Sequence, residues 1–370
     1  MSRNIVICCD GTSNQFAPCN TNVVKLCQLL IKDLARQAIY YHPGLGTREP
    51  LGFKPAWRRL VARVAGLAFG FGIKQDVAEL YQFVMNQWRP GDRLYLFGFS
   101  RGAYTVRALA AMIHLYGLAM PGNQELIPYA VRLFWSMRGQ ADEDETETAA
   151  RFALATQFRE ALSIQPAGIH FLGVWDTVSS VGWVGSPVSL PYTRRNPSVA
   201  IARHAVAIDE RRAFFRTNLL DPAPGQDVAQ VWFPGSHCDV GGGYPEAECD
   251  LSNITLGWMI AEAEAAGLLF DKDRIDAYFA SGQGKSRDPA APYHESLTGA
   301  WKLAEFAPKR HWNRQTGQEE WRLNRFRRRW LGPVPRIAAT AWARDASYVA
   351  ALPGDAQRTQ IHQSLIGTMV

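Results

Sequence analysis

The chain has 370 residues, 47% hydrophobic and 11% aromatic, enough apolar material for one large or two medium globular domains and too much for a disordered protein. With 40 Lys and Arg against 34 Asp and Glu the formal net charge is +6, a mild excess that permits contact with an anionic surface but gives no reason to expect nucleic acid. Six cysteines without CxxC spacing, two of them (Cys8, Cys9) inside an apolar run, read as reduced, buried thiols and not as a secreted disulfide framework.

Met1-Ser2-Arg3-Asn4 leads straight into residues 4–9 (NIVICC), with no basic segment, apolar core and cleavage site ahead of it, so synthesis in the cytoplasm is expected. This first strand ends at the turn Asp10-Gly11-Thr12. A helical pattern over 23–34 follows, then a strand over 38–41 closed by Pro43-Gly44-Leu45-Gly46-Thr47. Residues 61–73 form the longest apolar stretch, too short to span a bilayer at about 20 residues, and suited to a lid or an interfacial segment. A helix over 74–88 stops before Pro90-Gly91-Asp92, a strand occupies 94–97, and a helix runs from Ser100 to about Tyr116. Two helical stretches, 125–137 and 146–162, flank the acidic linker 141–145 and read as a helical insertion over about 119–165.

Strands over 169–175 and 229–233 and a helix over 254–266 complete an alternation that predicts a mostly parallel central sheet flanked by helices, strand order 2-1-3-4-5. His204, in this reading, begins a helical stretch. The last hundred residues are richer in Trp, Arg and Pro. Their pattern reads as a hairpin within 312–330, turning at Thr316-Gly317, followed by the basic aromatic run 325–330. Residues 1–270 are therefore expected to form the main domain and 271–370 an appendage packed on it.

Ligands of open parallel sheets bind beyond the carboxyl ends of the strands. Those ends carry Asp10-Gly11-Thr12, Ser100, Asp176 and His237, so a nucleophile, an acid and a base occur in the chain order Ser, Asp, His. Gly98-Phe99-Ser100-Arg101-Gly102 has GxSxG spacing between an apolar strand and a helix, the context of a nucleophile elbow. A serine hydroxyl needs a base, and the base needs a third group to fix its tautomer. His237 is the preferred base and His362 the runner-up. His114 and His170 read as packing or surface residues. The oxyanion donors expected are the Arg101 N–H and a second from the loop beside it, Gly11 or Thr12. Asp10 is read as a turn or substrate-binding residue, and Asp239 as stabilising the following glycine turn or contacting substrate. The chemistry needs no cofactor or metal, although Asp10, Asp176 and Asp239 are the acids that could gather around a calcium ion.

CCDGTSNQ, YYHPGLGT, GFSRGAYTVRALAAMI, GVWDTVSSVG and VWFPGSHCDVGGGY, in this order, resemble the α/β-hydrolase domain family that includes the type VI secretion phospholipase effectors. The resemblance implies an α/β-hydrolase fold and a phospholipase or lipid esterase whose serine, aspartate and histidine fall on Ser100, Asp176 and His237. It also implies phospholipid as substrate, contact with a membrane surface and, where the protein is exported by the secretion machine, a cognate immunity protein. The effectors carry a longer C-terminal region than this chain has. A soluble esterase, thioesterase or amidase with the same triad is the alternative activity. A hydrolase-like scaffold binding a partner through its basic C-terminal region is the non-enzyme alternative.

Overall fold

A computed structural model describes residues 2–11, 19–44, 69–137, 145–164, 167–178, 182–183, 186–187, 190–213, 215–280, 286–306, 308–313 and 318–361. Eight parallel strands form the central sheet: β1 (Asn4–Cys9), β2 (Gln37–His42), β3 (Arg93–Phe99), β4 (Ile169–Trp175), β5 (Val199–Ala207), β6 (Asp227–Phe233), β7 (Arg336–Ala338) and β8 (Gln357–Thr359). Their order across the sheet is β2-β1-β3-β4-β5-β6-β7-β8. The strand order reverses between β1 and β3, with β2 on one side of β1 and β3 on the other, which places the turns after these strands at the crevice where such sheets bind ligands.

Parallel strands covered on both faces must be apolar on both. In β1, Ile5, Ile7 and Cys9 face one helical layer while Val6 and Cys8 face the other. The first layer is built on α2 (Phe69–Gln87) and α3 (Arg101–Tyr116), the second on α1 (Asn22–Leu29) and α7 (Asp250–Ala265). Each large apolar side chain buried this way stabilises the fold by about 1.5–3 kcal/mol. Between the layers, β3 and β4 shift register by one residue after Leu94.

The insertion leaves the layer at a two-stranded antiparallel neck in which Leu118 pairs with Ile164 and Ala119 with Ser163. Beyond it, α4 (Ile127–Ser136) and α5 (Glu145–Leu162) cover α3, burying every residue of that helix except Arg101 and His114. A helix covered all round in this way is a rigid mount for the serine at its start.

Several elements differ from the sequence expectation. β5 is a strand where the sequence pattern has His204 opening a helix: Arg203 and His204 interrupt its apolar run, but Arg203 pairs with Asp227 and Glu262, and His204 is hydrogen-bonded inside the sheet. Helix α2 begins at Phe69, five residues before the predicted start, and the rest of the apolar stretch, 61–68, lies outside the described residues. The predicted hairpin is an antiparallel pair, Lys309–Asn313 with Gln318–Arg322, its turn at Thr316-Gly317 also outside them. β7 and β8 come from the last hundred residues and extend the central sheet. No helix among the described residues is long and apolar enough to cross a membrane.

Candidate active site

Ser100 follows β3 and precedes α3 with φ 58° and ψ −119°, a conformation that costs a residue bearing a Cβ roughly 1–3 kcal/mol. The glycines two residues away on either side make room for it. A Cβ on Gly102 would lie 2.1 Å from the Cys9 carbonyl oxygen, so the start of α3 rests directly on the end of β1. A Cβ on Gly98 would lie 2.6 Å from the Gly102 carbonyl oxygen. The backbone is anchored on the other side, where Ser100 N–H donates to the Trp175 carbonyl at 3.1 Å, one residue before Asp176.

Asp176, at the end of β4, has φ 36° and is fully buried. Its N–H donates to the Ala205 carbonyl at 2.7 Å, and its Oδ1 accepts from Ala207 N–H at 3.1 Å, so β5 fixes both the backbone and the carboxylate of this residue. Its Oδ2 lies 2.5 Å from His237 Nδ1. With Nδ1–H donated to the carboxylate, His237 Nε2 carries the lone pair a general base needs. Arg329 reaches the same carboxylate, Nη1 to Oδ1 at 2.5 Å and Nη2 to Oδ2 at 3.0 Å. Burial by itself would raise the Asp176 carboxyl, but the Arg329 charge and the His237 hydrogen bond hold it well below the usual carboxylate range. Burial pulls the His237 imidazole below its ordinary value, against the opposing pull of the Asp176 hydrogen bond and charge.

His237 opens the short helix α6 (His237–Gly241) and is held on every side. The Phe99 ring, next to Ser100 in sequence, packs on the imidazole with centroids 4.5 Å apart and brings the end of β3 against His237. Gly241 is what admits that ring: a Cβ there would stand 1.9 Å from Phe99. Phe215 meets the imidazole edge-on at 4.8 Å, with the Arg212 guanidinium 3.5 Å over its own face. Buried Glu210 accepts from His237 N–H at 3.2 Å, from Arg212 Nε and Nη2 at 2.9 and 2.8 Å and from Ser296 Oγ at 2.9 Å. Burial alone would raise Glu210, but the Arg212 hydrogen bond and charge hold its carboxyl low. Among the described residues no hydrogen bond joins Ser100 Oγ to His237. Such bonds often form only once substrate is bound.

The other residues singled out from the sequence sit nearby in different roles. Asp10 Oδ1 accepts from Gly11 N–H at 2.7 Å, and Oδ2 accepts from Thr21 Oγ1 at 2.6 Å and the Tyr41 hydroxyl at 3.1 Å. The Gly11 donor is thus engaged by its neighbour, and Thr12 lies outside the described residues, as does His362. Asp239 spends Oδ2 on Ser236 N–H at 2.8 Å and His294 N–H at 3.0 Å, and Oδ1 on His294 Nδ1 at 2.7 Å, which makes it a brace for α6. Among the described residues no group of three or more His, Cys, Asp and Glu side chains could hold a metal ion. The backbone N–H of Arg101 opens a 16-residue helix, where the aligned peptide dipoles favour developing negative charge.

Sequence reasoning missed Arg329, Glu210, His204 and the two rings on His237. Thr177 N–H, just past Asp176, donates to His204 Nε2 at 3.1 Å, while His204 Nδ1 faces Gln230 Oε1 at 3.3 Å. Burial, with Arg107 and Arg329 adding to it, pulls His204 down to about 3, so it stays the neutral acceptor that Thr177 requires. Arg329 follows two residues with left-handed backbone, Arg325 (φ 49°) and Phe326 (φ 61°). Buried Glu305 fixes that bend, accepting from Asn324 Nδ2 at 2.5 Å and Phe326 N–H at 3.1 Å, and from Ala213 N–H at 2.8 Å.

A family model for the catalytic domain of Tle1-like phospholipase effectors of the type VI secretion system matches residues 3–262. An uncharacterized protein of Saccharomyces cerevisiae, YEL023C, is 36% identical over 229 residues, covering 60% of this chain and 33% of its own, so the chain spans about a third of that curated relative. Among solved structures, an uncharacterized protein from Pseudomonas aeruginosa is similar with a TM-score of 0.45 and 21% identity, over 73% of this chain and 46% of that one. The Tle1 effector bound to the VgrG spike of the type 6 secretion system is similar with a TM-score of 0.44 and 16% identity, over 73% of this chain and 74% of that one. With the match running from β1 through Ser100, Asp176 and His237 into α7, the chain belongs to the Tle1-like phospholipase effector family of the type VI secretion system, a family of lipid hydrolases.

Proposed function

We propose that this protein is a serine phospholipase that cleaves acyl esters through Ser100, His237 and Asp176. The 2.5 Å contact between His237 Nδ1 and Asp176 Oδ2, at the end of the strand beside the strained Ser100, carries this reading. Ser100 Oγ attacks the ester carbonyl carbon while its proton passes to His237 Nε2, and Asp176 stabilises the imidazolium. The oxyanion is held by Arg101 N–H and by a donor from the loop after β1, Gly11 or Thr12. For Gly11 this means exchanging the Asp10 carboxylate for the developing oxyanion. His237 then protonates the departing lysolipid alkoxide, and water activated by the same imidazole releases the fatty acid.

Residues 1–270 make up the catalytic domain, with the helical insertion at about 119–165. Residues 271–370 complete it from the C-terminal side. A membrane surface is the partner that suits this side, because the same C-terminal segment that exposes Leu303 (76%), Phe306, Trp321 and Trp330 (57% each) also exposes the cations Arg325, Arg327 and Arg328. Family membership supports export by a type VI secretion system and neutralisation by a cognate immunity protein. The deciding experiment is mass spectrometry of a mixed phospholipid extract after incubation with wild type or Ser100→Ala. Fatty acid and lysolipid made by wild type alone are expected. An extract left unchanged by wild type, while short-chain nitrophenyl esters are still hydrolysed, would move the substrate to a small soluble ester.

A further inference from the structure

We propose that Arg329 is a fourth, positioning member of the catalytic relay, brought in by the C-terminal segment to hold the Asp176 carboxylate ionised and oriented toward His237. This role rests on Ser100, His237 and Asp176 being the reacting group. The guanidinium is 7% exposed and uses both terminal nitrogens twice. Nη1 donates to Asp176 Oδ1 and, at 3.1 Å, to the Ala207 carbonyl; Nη2 donates to Asp176 Oδ2 and, at 2.6 Å, to the Phe215 carbonyl. It therefore joins the acid, the end of β5 that also holds the acid, and the loop whose ring packs on the base.

The fork geometry matters. A carboxylate that must face an imidazole from a fully buried site has to be fixed in plane, and a bidentate guanidinium does this where a point charge would not. The bend at Arg325 and Phe326, two side chains in backbone that disfavours them, shows that the segment is aimed: buried Glu305 ties it to Ala213 in the loop that carries Phe215. The charged and titratable groups around the pair are His237 on α6, Arg329 from the C-terminal segment, His204 on β5 through Thr177, and Glu210 with Arg212 in the loop after β5. Of these, Arg329 is the cation in direct contact with Asp176. It offsets part of the negative charge that His237 would otherwise feel. Removing it should strengthen the hold of Asp176 on the imidazolium and raise the pH at which the base becomes protonated.

The test compares wild type, Arg329→Met, Arg329→Lys and Ser100→Ala, all as full chains, on a short-chain nitrophenyl ester across pH. Arg329→Met should lose ~10²-fold in kcat with KM unchanged, since Arg329 positions and does not touch substrate. Its acid limb should move up by about one pH unit. Arg329→Lys should keep the wild-type acid limb, because it keeps the charge, yet lose part of kcat, because it loses the fork. In the Ser100→Ala background, a ¹⁵N NMR titration of the His237 ring should show the same upward move on Arg329→Met without any turnover. A folded Arg329→Met with wild-type kcat and acid limb overturns the proposal. If Arg329→Met fails to give a cooperative melt, Arg329→Lys decides: wild-type kcat overturns the proposal, and reduced kcat on an unmoved limb supports it. Should Ser100→Ala hydrolyse the ester as fast as wild type, it is the triad assignment that fails; an inactive Ser100→Ala beside a wild-type-like Arg329→Met sinks the Arg329 role alone.

Discussion

Replacing Ser100 by glycine should make the protein more stable while destroying its activity. At φ 58° and ψ −119° a side chain costs roughly 1–3 kcal/mol, and glycine escapes that cost. Against it stands the extra freedom glycine has in the unfolded chain, about 0.5–1 kcal/mol, so a net gain of about 1 kcal/mol remains. Ser100→Ala is the proper comparison, because it removes the same hydroxyl and keeps the Cβ. At about 2.1 cal/mol/K of unfolding entropy per residue, a chain of 370 residues shifts its melting temperature by only about 1–2 °C for such a gain. Urea unfolding read by tryptophan fluorescence is therefore the sharper assay. Both variants should be inactive, with glycine the more stable. A glycine variant no more stable than alanine would mean that the backbone at Ser100 is relaxed and that the elbow holds no strain for catalysis to use.

Asp176→Asn should lower kcat/KM by ~10⁴-fold, since an amide at Oδ2 turns His237 to the wrong tautomer. It should also cost about 3–5 kcal/mol in urea unfolding by leaving the Arg329 cation buried without its counter-ion, and an unchanged urea curve would contradict the pairing. Gly102→Ala, with its Cβ 2.1 Å from the Cys9 carbonyl oxygen, should destabilise by about 3 kcal/mol, and wild-type stability would show that α3 does not rest on β1. The base must be neutral to act and its folded value is depressed, so kcat/KM should hold as pH falls past about 6.5 and drop only below it; a limb above 6.5 would contradict the burial of His237. His204, held at about 3 against 6.5 when unfolded, contributes stability that is complete above 6.5 and is lost as pH falls toward 3, up to about 5 kcal/mol. His204→Asn should therefore flatten the acid arm of a stability profile taken by urea unfolding at several pH values, and an arm as steep as wild type would argue against a neutral His204.

How far the sequence speaks depends on how local the physics is. Strands buried on both faces are written as apolar runs, and each run is closed by a turn, so Ser100, Asp176 and His237 are legible as strand-end residues from the chain alone. β5 is illegible because its run is broken by Arg203 and His204, whose partners Asp227, Glu262, Thr177 and Gln230 are supplied by other segments. β7 and β8 are three residues each, too short to show a period. Arg329 lies 153 residues from Asp176, and in the sequence it is one arginine among four between 325 and 329. Nothing local separates it from the other three, which are exposed.

The buried polar groups around Asp176 depend on one another in a way that no pair reveals alone. Thr177 N–H needs an acceptor, and His204 can serve only while its Nε2 is unprotonated. Burial is the main reason that it stays so, and the two buried cations that assist are Arg107, held by the carbonyls of Thr193 and Asn218, and Arg329. Arg329 thus touches both sides of the same strand end: it compensates the charge of Asp176 directly, and it adds to the burial and the Arg107 charge that hold His204 in its accepting form. A carboxylate buried this deeply requires a cation nearby, and a cation there would repel a protonated histidine. A neutral histidine on β5 beside a neutralised carboxylate on β4 meets both demands. On the proposed mechanism, the proton taken up in turnover goes to His237, whose imidazole meets the Asp176 carboxylate directly.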